Sequence, residues 1–409
     1  MTTISLEYGV AGCWKGEIPR ERLLSHHPGP PPLQDVRTAV RESLEQPLDF
    51  PALRQAFVQD DRIVVVLDRH VSSSAEIIAE VWNVCESAGA APDHVMVLQP
   101  AALTGSRPVD PRRLLPAAVR ELMPWKIHDP TDERATGYLA SSVSGERLYL
   151  ARDVLEADFL LPISQLEFDS VQGRRSATSS FYPGLSTTEV FAKSRGQGHS
   201  ELGPDDERPL GQLIQEIGWL LGIQFAIQVL PSSNHAGAAR ILAGHSDSVD
   251  RQGRTLLDKE WRVRAEQRGE TVVVSIPAGS GETTGWEQLG AALEAASRLV
   301  MREGRIIVLS DMTGEPGPGI ELLRSVRSSK AALKPLRNES PPDLVAASQI
   351  AAAADAASVY LVSQLSPSLV EDCFMTPLDG EIEVTRLLAT CDGCIVVAGA
   401  QHAYTEILD

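Results

Sequence analysis

Asp68, Arg69 and His70 stand together directly after the apolar run Arg62–Leu67 (RIVVVL). A carboxylate, a guanidinium and an imidazole at one turn can clamp a substrate carboxylate or hydroxyl, with the guanidinium suited to paired hydrogen bonds and the imidazole titratable near neutrality. The plain alternative is a solvated turn in which Asp68 accepts neighbouring backbone N–H groups. A second cationic segment, Arg174 and Arg175, lies between Gly173 and the hydroxyl-rich run Ser176–Ser180. Such a loop can fold round an anion, or its arginines can pair with carboxylates nearby.

Other reactive types carry less. Cys391-Asp392-Gly393-Cys394 is a lone CxxC ahead of the strand-like CIVV. Zinc would need two more ligands, for which Cys373 and His402 make a poor set, and a redox pair would open a helix. A turn with a buried second cysteine is expected, and no metal site is predicted. Met312–Gly319 (MTGEPGPG) lacks the Gly-Lys-Ser/Thr of a phosphate loop and reads as a segment lining a cleft. His235 has no serine elbow or cysteine partner.

The elements that must position these residues form a strand–helix alternation. Arg62–Leu67 is a β-branched run of the kind buried on both faces, Ser72-Ser73-Ser74 reads as a cap for a helix Ala75–Ala88, and His94–Leu98 reads as the next parallel strand. A helix over Arg112–Leu122 and strands at Arg147–Leu150, Asp158–Ile163 and Gly222–Leu230 come next. Past the charged segment Asp258–Glu270, strands at Thr271–Ile276, Arg305–Leu309, Ser358–Val362 and Cys394–Val397 alternate with helices near Trp286–Arg302, Gly319–Ser328 and Asp343–Ala356. The Pro-rich stretch His26–Pro32 reads as a surface loop between an N-terminal hairpin and a helix near Val36–Gln46. The expected fold is two α/β domains, 1–265 and 266–409, with mostly parallel sheets and a cleft between them. Ligands bind beyond the carboxyl ends of such strands, which singles out the loops Asp68–Ser74, Gln99–Gly105 and Ser164–Pro183.

Composition narrows the partners. The 409 residues are 43% hydrophobic and carry a formal charge of −18, which disfavours nucleic acid and anionic membrane surfaces. No apolar run is long enough to span a bilayer, the N-terminus lacks a signal-peptide plan, and five cysteines make no disulfide framework. The expectation is a cytoplasmic protein; nothing in the sequence specifies an oligomeric state.

Several segments in order resemble the nickel-dependent lactate racemase family: ISLEYG at the start, ESLEQPLDFPAL, VVVLDRH, KIHDP, EADFLLPI with FYPGLS, then RIIVLSDMTGEPGPG and SPPDLVAASQI. The resemblance implies a two-domain α/β fold and racemisation of a 2-hydroxy acid by hydride transfer to and from a nickel-pincer nucleotide. It further implies a tether lysine, a nickel histidine and two acid/base histidines. Aligned without gaps on Pro183-Gly184, the tether lysine falls on Ser179, one histidine on Asp169 and the nickel histidine on Arg195. The remaining histidine belongs in the turn Gln99–Thr104, which has none. Without any alignment, no lysine occurs between Lys126 and Lys193 and no histidine between His128 and His199. Lys193 and His199 could serve only as displaced replacements.

The resemblance also gives Asp68 the place of a family Asp, with Arg69 as a shifted stand-in for a family Arg. Asp169 could be a general base if burial raised its pKa, and His128-Asp129 matches a family pair expected to support a turn. Glu287, near a family glutamine, would repel a hydroxy-acid carboxylate. Two functional readings result. One is a divergent racemase-like protein without the nickel cofactor, an isomerase-type enzyme if it is an enzyme. It would use Asp68 and Asp169 as catalytic groups and Arg69, His70, Arg174, Arg175, Arg195 and Glu287 to bind a small anionic molecule such as a hydroxy acid. The other is a pseudoenzyme that senses a ligand or engages a partner protein.

Overall fold

The structure, a computed structural model, describes residues 1–101, 109–195, 202–235, 237–279 and 284–408, the side chain of Arg195 excepted. Two six-stranded sheets organise them. The first runs in the order Ala238–His245, Phe225–Pro231, Phe159–Gln165, Ile63–Leu67, Val95–Gln99 and Trp125–Ile127. Its pairs are parallel except the first, which is antiparallel. Ile63–Leu67 is buried along its whole length because helices cover both faces, the environment its unbroken Val/Ile run requires. The helices Val36–Glu45 and Ser74–Ser87 pack on one side, and Pro209–Leu220 with Phe181 and Leu185 on the other.

The second sheet is wholly parallel, in the order Thr376–Leu378, Ser358–Val362, Val300–Leu309, Gly269–Ser275, Cys394–Val397 and Leu23–His27. Residues His26 and His27 thus finish an edge strand of the second sheet, and only the prolines after them form the expected loop. The boundary near residue 265 falls between the strands Arg262–Ala265 and Gly269–Ser275.

Three local expectations change. Ser73 precedes the helix Ser74–Ser87 in left-handed backbone, φ 58°, and caps nothing with its side chain. Its neighbour Ser72 instead donates through both N–H and Oγ to Gln165. The helix expected over Arg112–Leu122 shrinks to Ala117–Leu122 because Pro116 sets its start. Arg147–Ala151 leaves the parallel sheet and pairs antiparallel with Thr136–Ser141 as a separate hairpin. The charged segment Asp258–Glu270 spans the end of the helix Ser246–Trp261 and the strand Arg262–Ala265, which pairs with Tyr404–Ile407.

One core joins the two sheets. Trp261, fully buried, sits among Leu166, Leu230 and Leu257 from the first unit and Ile276, Leu289 and Ala400 from the second. At the rim, Gly9 in left-handed backbone (φ 55°) exchanges backbone bonds with Ile276 and Ala278 and so anchors the N-terminal hairpin beside Pro277. A Cβ there would lie 2.1 Å from Asp311 Cγ, so only glycine fits.

Candidate functional site

A cleft of about 280 Å3 opens between the sheets at the carboxyl ends of their strands. Asp68, Arg69, His70, Asp169, Arg175 and Glu287 all line it, drawn together from two of the loops singled out by sequence and from the first turn of the helix Trp286–Leu299. The third such loop, Gln99–Gly105, lies outside the described residues beyond Ala101.

Asp68 caps its strand, with its N–H donating to Ile163 O (2.9 Å) and its Oδ1 accepting the Arg69 N–H (2.8 Å). Its other oxygen pairs with the Arg175 guanidinium, which also lies 3.6 Å from Asp169. Both members of the Asp68–Arg175 pair are mostly buried, at 4% and 14% side-chain exposure. Asp169 spends Oδ1 on the N–H groups of Val171 and Gln172. Arg69 is different. Among the described residues it has no carboxylate partner; its Nη1 donates to Ala101 O (3.2 Å), and the guanidinium lies over the Phe191 ring.

His70 holds left-handed backbone (φ 58°) and reaches across to the second unit, its Nε2 3.4 Å from Glu287 and its Nδ1 3.3 Å from Gln288 Nε2. Burial disfavours its charged form, but Glu287 outweighs this, and the imidazole pKa lies above its ordinary value. The folded state therefore holds the proton more tightly than the unfolded chain. The bridge contributes fully below about pH 6.5, the unfolded value, and is lost as pH rises through the higher folded one. With His70 43% exposed, the contribution should stay under about 1 kcal/mol. Melting temperatures between pH 5 and 9 should show it, and Glu287→Gln should flatten that profile; a profile unchanged by the substitution would mean that the bridge contributes nothing.

Several further residues, not named from the sequence as site residues, line the cleft. Glu167 carries Gln165 on one side, and its Oε1 lies 3.3 Å from His402 Nδ1. Burial works against its charge, yet His402, Arg175 and the Gln165 amide overcome this and hold its carboxyl below the ordinary glutamate range. His402 stands edge-on to Trp261, ring centroids 5.3 Å apart, and Gln401 lies beside it. The strand-end rule that exposed Asp68 points here as well, because Ala398–His402 comes directly after an interior strand of the second sheet, Cys394–Val397.

Other candidates lie elsewhere. Arg174 is directed away from the cleft into a second polar chamber, where it binds Asp258 (2.7 Å) and Asp205 (2.5 Å). Its neighbour Arg175 faces the cleft because adjacent side chains of an extended segment point to opposite faces. Arg195 ends the helix Thr188–Arg195, its side chain outside the described residues, as is His199. Lys193 is 62% exposed and bound to Glu146. His128 is buried with its Nε2 2.8 Å from Ser186 O, the turn-supporting place expected of it. His235 bridges Glu7 (3.1 Å) and Gly9 O (3.2 Å). Cys391 and Cys394 are buried free thiols. Among the described residues, no group of three or more His, Cys, Asp or Glu is placed to hold a metal, and no helix is long and apolar enough to cross a membrane.

In the second chamber, burial pushes the Asp250 carboxyl up to about 6, although the Ala177 N–H donates to it at 2.6 Å. A raised carboxyl contributes fully below its unfolded value near 3.9 and costs stability as pH climbs through 6. Asp250→Asn should therefore stabilise the fold by about 1–3 kcal/mol at pH 8 and leave it unchanged at pH 4. Denaturant unfolding at the two pH values reads the difference, and equal effects at both would refute it.

Comparison with known proteins bears directly on this frame. Residues 12–196 match the family model described as the lactate racemase N-terminal domain. That segment of the chain is similar to the lactate racemase N-terminal domain. The lactate racemase apoprotein structure from Thermoanaerobacterium thermosaccharolyticum superposes with a TM-score of 0.78 over 99% of this chain and 100% of that one, at 17% identity. A Thermotoga maritima protein of known structure gives 0.68 over 91% and 98%, at 12% identity. These likenesses establish the fold, two α/β units with mostly parallel sheets. No curated protein matches the chain in sequence. The matched segment covers Asp68, Arg69, His70, Glu167, Asp169 and Arg175, so the charged residues of the first-unit wall lie inside it, whereas Glu287 and His402 lie beyond it.

Proposed function

We propose that this lactate racemase-like protein binds a small anionic molecule such as a 2-hydroxy acid in the cleft and does not carry the nickel-pincer nucleotide. Arg69 carries the reading. It is the cleft guanidinium left without a carboxylate among the described residues, and its position after the central strand is where an open α/β sheet receives its ligand. Arg175, already held by Asp68 and Asp169, serves as structure rather than as the anion's partner.

The residues in the tether's place do not fit the cofactor. Ser179 is buried, with its Oγ donating to Gln172 Oε1 (2.8 Å) and accepting the Ser176 N–H (2.8 Å). A hydroxyl in that place supplies no amine, and no lysine is found among the described residues lining the cleft. Lys193 is turned to Glu146 at the surface. No reaction step is derived through the nucleotide, and whichever chemistry remains rests on the acids and imidazoles at the cleft wall.

Intact-mass and metal analysis of the purified protein, with thermal shifts in lactate titrations, tests both halves of the proposal. The expected result is the unmodified mass, no stoichiometric nickel, and a saturable lactate shift that Arg69→Ala abolishes. A covalent nucleotide adduct would overturn the first half, and a shift indifferent to Arg69 would overturn the second.

A further inference from the structure

Gln401 presents an unusual arrangement. Its Nε2 faces two acceptors, Pro277 O at 3.4 Å and His402 Nε2 at 3.1 Å, while its Oε1 is buried with no hydrogen-bond partner among the described residues. The orientation is not arbitrary. Glu167 Oε1 lies 3.3 Å from His402 Nδ1, which sets the ring so that its Nε2 faces the amide. A flipped amide would set its oxygen against the Pro277 carbonyl. Its N–H groups are therefore committed, and an acceptor without a donor is left at the cleft wall, since Pro277, Gln401 and His402 all line the cleft. Buried acceptors are ordinarily satisfied, so the group that completes this one has to bring an O–H or N–H with it.

We infer that Gln401 is the specificity-determining residue of the cleft, accepting the hydroxyl proton of a bound 2-hydroxy acid, and that His402 and Glu167 are positioning residues that fix the orientation of its amide. The inference rests on the anion-binding reading given above and deepens it. Arg69 takes the carboxylate, which every small organic acid offers. Gln401 asks for a donor, which a 2-hydroxy acid has, an unsubstituted acid lacks, and a 2-oxo acid replaces by a second acceptor facing Oε1. Sites built around a substrate hydroxyl discriminate strongly against analogues without it, because the buried partner is then left unpaired.

The test titrates the full-length protein with lactate, propionate and pyruvate by calorimetry. Lactate should bind at least ten-fold more tightly than either analogue. Gln401→Met, of similar volume, should bring lactate to within about three-fold of propionate and leave propionate unchanged. His402→Phe, which frees the amide to turn, should narrow the lactate-to-pyruvate ratio with little change for propionate. Gln401→Leu provides a second variant should the first fold poorly. Wild-type protein that binds lactate and propionate equally, with both lost in Arg69→Ala, would overturn the hydroxyl inference while the anion reading stands. The inference also falls if Gln401→Met keeps the full preference. Failure of all three acids to bind would overturn the anion reading itself.

Discussion

Replacing Trp261 by alanine should destabilise the protein by roughly 3–5 kcal/mol, the range for a large aromatic removed from a closed core. The indole is fully buried, its Nε1 donates to Pro231 O (3.1 Å), and the rings of His27 and His402 pack on it at 5.7 and 5.3 Å. Backbone closes down on it as well: a Cβ on Gly399 would come within 2.7 Å of the ring and one on Gly29 within 3.1 Å. Those segments are already at contact, and two glycines offer no side chain to refill the space. The substitution leaves a cavity together with an unpaired Pro231 carbonyl. Because the same indole supports His402, the variant should also weaken the lactate preference proposed for Gln401 at temperatures where it remains folded. Denaturant unfolding gives the first quantity; a cost under about 1.5 kcal/mol would show that the two units do not depend on this residue.

Asp68→Asn carries the second large effect. The shape is kept and the charge removed, so the Arg175 guanidinium, 14% exposed, is left with Asp169 at 3.6 Å as its nearest remaining carboxylate. Breaking a buried pair from one side costs about 3–5 kcal/mol because the other charge is stranded. Asp169 should reduce this to about 2–4 kcal/mol. Adding Arg175→Met should recover part of the loss, since the stranded charge is then gone, and the double-mutant cycle should give a coupling of at least about 1 kcal/mol. Additive effects would mean that the two side chains act independently.

Much of the frame was legible in the sequence because it depends on local pattern. IVVVL, TVVVS and CIVV are buried from end to end, and unbroken β-branched runs of that length suit parallel strands with both faces covered. Asp68, Arg69 and His70 were legible for the same reason, since the carboxyl end of a strand fixes where the next few residues must lie. What escaped depends on facing and on distance along the chain. Arg174 and Arg175 are equivalent as sequence; Arg174 ends the two-residue strand Gly173–Arg174 and turns to Asp258, whereas Arg175, just past it, pairs with Asp68. His402 becomes a cleft residue only through Glu167 and Trp261, which are remote from it in sequence. The serines before the helix Ser74–Ser87 looked like a cap, but Gln165 across the sheet end competes for Ser72 and wins.

The strand Leu23–His27 bears on how the chain assembles. It lies along the outer side of Cys394–Val397, so its ladder cannot form until a strand far downstream in the chain has been made. A fragment beginning at residue 266 would leave Cys394–Val397 with its peptide groups bare along one flank, an invitation to intermolecular pairing. Folding must therefore join segments far apart along the chain, and removing Leu23–His27 should be felt as aggregation of the far half rather than as fraying of the near one.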